Sequence, residues 1–291
     1  MAAVEKDSAP ALHALLAAGA QIAGIARTDE LAFSLMGTNA HYGTPFNAAA
    51  PGHVPGGSSS GSAAALASGA AELGLGTDTA GSLRVPGSFS ALYAWRPTHG
   101  IIDTTGVLPL AHSFDTLGLL ARDAVVLEAA AAALLPRAQV QRAQALLRSR
   151  TLLHLAQPPA ALAVEAAMTA LAVQTGLPIH DLDDDFTLEQ VAAWTAAFRT
   201  VQAAEAWANH GGFISANPGA LSPDVEERFR AGVDIDAHAL QAARSTIAQT
   251  AARLETILQR GWLCLPSTAS PAPPIEATSD DLERIRTAPC S

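Results

Sequence analysis

The chain has 291 residues, 49% hydrophobic and 15% charged, which is enough apolar material for a large buried core. Its net charge of −10 argues against a nucleic-acid or anionic-membrane partner, because a basic face is needed to release counterions. The first residues lack the apolar core of a signal peptide, and no stretch is long and apolar enough to span a bilayer. We therefore expect a cytoplasmic protein without a membrane partner.

Apolar runs and turn residues predict helices alternating with short strands. The predicted helices are Ser8–Ala20 (capped by Ser8), Ser58–Ala71, Asp123–Leu135, Val140–Leu147, Pro159–Gln174, Leu188–His210 and Ala237–Gln259. The predicted strands are Gln21–Ile25, Leu73–Gly76, Leu152–Leu155, Leu177–His180 and Gly261–Pro266. This alternation predicts an α/β layered sheet. We expect residues 1–291 to form a single domain, with a motif-bearing part at 1–123 and a helix-rich part at 124–291.

Metal and cofactor chemistry has little support in the residue pattern. Cys264 and Cys290, the only cysteines, predict a buried thiol and a tail residue without a functional role. The nine histidines show no metal-ligand spacing. The aspartates at positions 181 and 183–185 predict a solvated acidic face. We expect neither a metal ion nor a cofactor.

The run from Pro55 to Ser82, PGGSSSGSAAALASGAAELGLGTDTAGS, is rich in residues that could carry chemistry. A phosphate-binding loop would need a lysine after its last glycine, and this run has none. The segment from Gly57 to Gly61 has the letters of a nucleophile elbow, but a loop precedes it where that motif requires a strand. Neither interpretation suits the sequence.

The same run resembles the amidase signature, which consists of a Gly/Ser-rich loop, a small-residue helix, a strand and a turn. The turn is Gly76-Thr77-Asp78-Thr79-Ala80-Gly81-Ser82. Other elements of the family flank it in order: Asp29-Glu30-Leu31-Ala32-Phe33, His41-Tyr42-Gly43-Thr44-Pro45, Arg84-Val85-Pro86, Arg96-Pro97-Thr98-His99-Gly100 and Ser113-Phe114-Asp115-Thr116-Leu117-Gly118. The resemblance extends from Asp7 to Pro274. It is nearest to the short amidases that include plant-type indole-3-acetamide hydrolase.

The resemblance implies the amidase signature fold, a mixed β-sheet core covered by helices on both faces. It implies hydrolysis of the C–N bond of a small carboxylic amide to acid and ammonia through an acyl-serine intermediate. Ser82 would be the nucleophile, and Ser58 a bridging serine that follows a cis peptide bond. The other implied residues are the oxyanion hole, Thr79, Ala80, Gly81 and Ser82, and the supporting loop, Gly56, Gly57, Ser59, Asp78 and Arg84. Arg84 and Asp115 are expected to brace the catalytic turns.

Two features depart from the family pattern. The family has glycine where this chain has Ala80, and a Cβ is tolerated there only if φ is negative. The family also uses a lysine as proton acceptor. Lys6, the only lysine here, directly precedes the first predicted helix without the family's connecting segment. We therefore expect the catalytic lysine to be absent, the fold to be truncated at both ends, and the activity of the chain alone to be weak.

Two alternatives to an active amidase remain open. A catalytically impaired amidase-fold protein or fragment could serve as a binding module, and Ser82 would then not react with a fluorophosphonate probe. An amidotransferase A-type subunit would transfer ammonia and would co-purify with partner subunits. For the amidase itself, the expected partner is a small-molecule amide, and a homodimer is left open.

Overall fold

The structure is a computed structural model that describes residues 7–135, 143–182 and 186–286. Lys6, Cys290 and the aspartates at 183–185 lie outside these ranges. The chain divides into two compact units. The first comprises Met1–Ala138, Gly212–Glu226 and Pro274–Glu276, and the second comprises Gln139–Gly211, Glu227–Pro273 and Ala277–Ser291. The single domain expected over 1–291, with its parts 1–123 and 124–291, stays a prediction.

The first unit carries the motif-rich part of the chain. Its elements are α1 (Pro10–Ala17), a 3-10 turn (Glu30–Ala32), α2 (Ser60–Ala67), β1 (Leu73–Asp78), α3 (Arg84–Phe89), β2 (Tyr93–Trp95), β3 (Thr116–Ala121) and α4 (Ala124–Leu134). Asp123 caps α4 by accepting the N–H groups of Val125 and Val126 at 2.7 and 3.3 Å. The predicted cap of α1 is wrong, because this helix begins at Pro10 after Ala9 and no side chain caps it.

The sheet of the first unit has the order β1-β3-β2, and both outer strands run antiparallel to β3. All six residues of β3 are buried, which fits its central position. Successive side chains of a strand point to opposite faces. Leu119 accordingly packs with residues of α1 and α4, whereas Leu120 packs with residues of α2. Helices therefore cover both faces of this sheet, as the resemblance implies.

The second unit contains a parallel sheet of the order β5-β4-β6. Its core consists of Ala145, Leu147, Leu182, Phe186 and Ile257. Its elements are β4 (Leu146–Arg148), α5 (Arg150–Leu153), α6 (Pro158–Thr175), β5 (Ile179–Asp181), α9 (Ala237–Leu258), β6 (Trp262–Leu263) and α10 (Ser279–Arg286). Two further helices, α7 (Leu188–Ala216) and α8 (Pro223–Arg230), belong partly to each unit.

The predictions around residue 150 are wrong. Residues 146 and 147, the end of the helix predicted at 140–147, belong to β4. Residues 152 and 153, the start of the strand predicted at 152–155, belong to α5. Strand β4 pairs with two neighbours that are remote in sequence, and this pairing overrides the helical spacing of the apolar residues in the predicted helix at 140–147. Ser149 then starts α5 by accepting the N–H of Leu152 at 3.3 Å.

The predicted strand Gln21–Ile25 is also absent. The chain from residue 20 to residue 28 contains neither helix, turn nor bend, and Ile22 and Ile25 are 63% and 99% exposed. The backbone groups of residues 21–26 make no hydrogen bond to any described residue. The segment has the residue types of a strand, but the described part of the chain offers it no partner.

The fold class is α/β, as predicted. In the described ranges, the expected mixed sheet takes the form of one antiparallel and one parallel sheet. No helix in these ranges combines the length and the apolar character that a bilayer crossing requires.

Candidate active site

The turn after β1 is built around the carboxylate of Asp78, the last residue of that strand. This side chain is fully buried. Its two oxygens accept the backbone N–H groups of Gly81 at 2.9 Å, Leu83 at 3.1 Å and Arg84 at 3.3 Å. These bonds direct the chain from β1 into α3 and fix the backbone on both sides of Ser82.

Two arginine side chains compensate the buried charge of Asp78. Arg84 donates to the carboxylate from Nε at 3.1 Å and from Nη2 at 2.8 Å, and Arg96 donates from Nη1 at 3.1 Å. Burial alone would raise the pKa of Asp78. The hydrogen bond from Arg84 and the charges of Arg84 and Arg96 outweigh burial and hold this pKa below its ordinary value. Asp78 is therefore ionised at neutral pH.

Arg96 is a further residue of the site, which the sequence identified only as the first residue of the motif Arg96-Pro97-Thr98-His99-Gly100. Besides the Asp78 carboxylate, it donates to the Asp78 carbonyl oxygen, to Thr116 Oγ1 at 2.9 Å and to the Phe114 carbonyl oxygen at 2.8 Å. It thereby joins the turn after β1 to β3. An arginine directly after the short strand β2 is the signal that could have identified it, because a largely buried guanidinium needs several acceptors.

A second carboxylate, that of Asp115, holds the turn from the other side. Its Oδ1 accepts the hydroxyl of Thr79, and its Oδ2 accepts the N–H groups of Leu110 at 2.8 Å and Ala111 at 3.0 Å. Asp115 thus fastens Thr79 to the loop that precedes β3. This is the contact that the sequence analysis expects of Asp115.

Ser58 and Ser82 lie on neighbouring backbone segments, and both are buried. The N–H of Ser59 donates to the carbonyl oxygen of Ser82 at 3.1 Å, which joins the two segments directly. The Gly57–Ser58 peptide bond is cis, the conformation that the resemblance implies for this position. The structure therefore brings together the two serines that the sequence analysis selects.

The loop before Ser58 packs too closely against its surroundings for larger residues. Gly56 has a φ of 77°, and a Cβ on it would lie 2.7 Å from the Cα of Pro86 in α3. Gly76 of β1 faces the loop from another side, because a Cβ there would lie 2.5 Å from the hydroxyl of Ser59. These close approaches explain why glycine stands at both positions.

The expected oxyanion donors are the backbone N–H groups of residues 79–82. Those of Thr79, Ala80 and Ser82 make no hydrogen bond to any described residue. The N–H of Gly81 departs from the expectation, because it already donates to Asp78. In this turn the positive φ, 134°, falls on Gly81 and not on Ala80. The alanine that departs from the family pattern is therefore compatible with the turn.

A shallow cleft opens in the first unit beside the turn. It combines the side chains of Thr77 and Asp115 with a largely apolar wall from the loop before β3. The residues that line it are Ala32, Thr77, Thr104, Val107, Leu108, Pro109, Leu110, His112, Asp115 and Thr116. Within residues 7–135, 143–182 and 186–286, no group of three or more His, Cys, Asp and Glu side chains is arranged to hold a metal ion.

Comparisons with known proteins place the chain in a family. The sequence model described as Amidase matches residues 2–207. Amidase 1 of Arabidopsis thaliana is 33% identical over 309 residues, which cover 96% of this chain and 73% of the relative. Indoleacetamide hydrolase of Pseudomonas savastanoi is 46% identical over 121 residues, which cover 42% of this chain and 27% of the relative. A solved structure described as an amidase has a TM-score of 0.81 at 25% identity, covering 97% of this chain and 67% of that one.

The chain therefore belongs to the amidase family, and its fold and turn are those of an amide hydrolase. This confirms the family resemblance predicted from the motifs. The chain spans 73% of the Arabidopsis relative and much smaller shares of others, such as the 27% of the Pseudomonas hydrolase.

Proposed function

We propose that this chain hydrolyses the C–N bond of a small carboxylic amide through an acyl ester on Ser82. The observation that carries the proposal is the direct link between the Ser59 N–H and the Ser82 carbonyl, which joins the backbone segments that carry the two buried serines. Ser82 stands between two amides that Asp78 fixes, so its side chain has a defined position. A positioned serine on a backbone segment joined to that of a second serine suits nucleophilic catalysis with proton relay.

The proposed reaction has two steps. Ser82 Oγ attacks the amide carbon, and its proton passes through Ser58 to a base. The base then returns this proton to the amide nitrogen, so that the C–N bond breaks and ammonia leaves. Water then attacks the ester, which releases the acid and restores the Ser82 hydroxyl. The N–H groups of Thr79, Ala80 and Ser82, which bond to no residue in the described part of the chain, are the proposed donors to the oxyanion.

The proposed relay requires a base that accepts the proton from Ser58. Lys6 is the only lysine in the chain, and it lies outside the described residues. The expectation that the chain lacks its base therefore stays a prediction. If Lys6→Ala lowers the labelling rate of Ser82 about 100-fold or more, Lys6 is the base; an unchanged rate supports the prediction that it is not.

A fluorophosphonate probe tests the proposed nucleophile. We expect labelling of the wild-type chain at Ser82, its loss in Ser82→Ala and strong reduction in Ser58→Ala. Ser68→Ala is the matched control, because the hydroxyl of Ser68 is exposed and donates only to the Ala65 carbonyl. Labelling that persists in Ser82→Ala would overturn the assignment.

The substrate is proposed to be an aryl or alkyl amide of small size. The cleft beside the turn is largely apolar, and the Pseudomonas relative is named for indoleacetamide. Indole-3-acetamide is therefore the first substrate to test, with release of ammonia as the measurement. Ammonia release from none of a series of aryl and alkyl amides, despite labelling of Ser82, would contradict this substrate class.

The cellular setting is also a proposal. We propose a cytoplasmic location, and the net charge of −10 supports the proposal that the chain has no nucleic-acid or anionic-membrane partner. Cell fractionation measures the location, and sedimentation measures whether the chain forms a homodimer.

A further inference from the structure

Asp29 is a buried carboxylate next to the loop that carries Ser58, and only 1% of it is exposed. Its backbone N–H donates to the carbonyl oxygen of Ser58 at 3.0 Å. Its Oδ1 accepts the hydroxyl of Ser60 at 2.9 Å, and its Oδ2 accepts the N–H of Gly37 at 3.0 Å. One residue therefore binds the proposed bridging serine itself and the residue two positions after it.

The same carboxylate fills the space beside Gly57. A Cβ on Gly57 would lie 2.1 Å from Asp29 Oδ2 and 2.8 Å from the nitrogen of Gly37. The backbone of Gly57 is held from this side as well, since its N–H donates to the Leu35 carbonyl at 2.8 Å. Glycine stands at position 57 because the carboxylate of Asp29 occupies the place of a side chain.

The neighbours of Asp29 extend this contact along the loop. The carbonyl oxygen of Arg27 accepts the N–H of Gly61 at 3.0 Å. The segment from Arg27 to Gly37 thus contacts the loop at Gly57, Ser58, Ser60 and Gly61. On its other side, the loop reaches Ser82 through the N–H of Ser59.

We propose that Asp29 is a positioning residue that fixes Ser58 relative to Ser82. It sets the place of the Ser58 backbone through its own N–H, and its carboxylate locks the residues on both sides. A displacement of about 1 Å at a reacting group can reduce a rate by about 100-fold. The kinetic part of this inference rests on the proposed function, whereas the structural part does not.

The first test measures the labelling rate of Ser82 by the fluorophosphonate probe. We expect Asp29→Ala to lower this rate about 100-fold. Asp29→Asn keeps the shape and one acceptor oxygen, so we expect it to recover part of the loss. Asp103→Ala, at an exposed aspartate of the same unit, should label as the wild type does.

A destabilised control separates positioning from general loss of stability. Leu147→Ala removes buried side-chain volume from the second unit, far along the chain from the loop. Measured well below the melting temperature of each variant, Leu147→Ala should label at the wild-type rate even when it unfolds as readily as Asp29→Ala. Equal slowing of labelling in these two variants would overturn the proposal.

Hydrogen exchange tests the same inference without catalysis. We expect Asp29→Ala to accelerate exchange of the amides of Gly57, Ser59 and Gly61 at least tenfold, while the amides of β3 stay protected. If the wild type fails to react with the probe, the proposed function fails and exchange alone decides the role of Asp29. Unchanged exchange at these amides, or labelling of Asp29→Ala at the wild-type rate, would overturn it.

Discussion

At the scale of single residues, the carboxylate of Asp78 determines the shape of the turn that holds Ser82. It accepts three backbone N–H groups and the side chains of Arg84 and Arg96. Removing its charge leaves buried donors without an acceptor. We expect Asp78→Asn to lower the free energy of unfolding by about 3 kcal/mol or more. Urea unfolding at pH 7 measures this change.

The pH dependence of stability follows from the lowered pKa of Asp78. A carboxyl group whose folded-state pKa lies below its ordinary value of 3.8 contributes fully above that value. The contribution is lost as the pH falls through 3.8 and then through the folded-state pKa. We therefore expect Asp78→Asn to lose less unfolding free energy than the wild type when the pH is lowered from about 5 to about 3.

The exposed residue Asp123 provides the comparison for this experiment. Asp123→Asn removes a carboxylate charge outside the turn, while the asparagine oxygen can still cap α4. This variant should therefore keep most of the wild-type pH dependence. If Asp78→Asn and the wild type lost stability in parallel as the pH fell, the assignment of this dependence to Asp78 would be wrong.

The two residues before Ser82 should respond oppositely to exchange between glycine and alanine. Gly81 has a φ of 134°, so Gly81→Ala strains the backbone, and we expect it to abolish labelling of Ser82. Ala80 does not have a positive φ, so Ala80→Gly should change the free energy of unfolding by no more than about 1 kcal/mol. Its labelling rate should stay near that of the wild type. A large gain of reactivity in Ala80→Gly would show that the alanine does impair the turn.

At the scale of elements, β4 is the central strand of the second sheet, and Leu147 is fully buried in it. We expect Leu147→Ala to lower the free energy of unfolding by about 2–5 kcal/mol, because a buried cavity remains. Leu162→Ala, on the exposed side of α6, should cost less than about 0.5 kcal/mol. Urea unfolding of the two variants checks this contrast, and equal losses would contradict the central position of β4.

The elements that the sequence predicts well are those whose signals are local. Asp123 starts α4, and the long helix α9 (Ala237–Leu258) lies within one residue of its prediction. Strand β4 could not be predicted this way, since its neighbours β5 and β6 come more than 30 residues later. The turn at Ser82 was predictable from its motif. The position of Arg96 directly after β2 marks it as a residue in need of acceptors, but no local pattern reveals which groups Arg96 and Asp29 contact.

At the scale of the whole molecule, the ordered motifs were sufficient to predict the amidase family. The separation into an antiparallel and a parallel sheet was not predictable, because it depends on which strands find partners. The segment Gln21–Ile25 illustrates this limit of β propensity. Its residue types suit a sheet surface, but propensity does not supply the neighbouring strand that a sheet requires. The family was therefore accessible from sequence, whereas the arrangement of strands required the structure.

The stretch at residues 21–26 has a practical consequence for handling the protein. Its peptide groups make no hydrogen bond to any described residue, and its two isoleucines are exposed, so it is a template on which another chain can add. We therefore expect concentrated solutions to aggregate at temperatures well below the melting temperature. Ile25→Lys should delay this aggregation. Val125→Lys, at a valine of α4 that is 73% exposed, should not. Light scattering against time and protein concentration records the difference, and identical curves for both variants would remove this stretch as the cause.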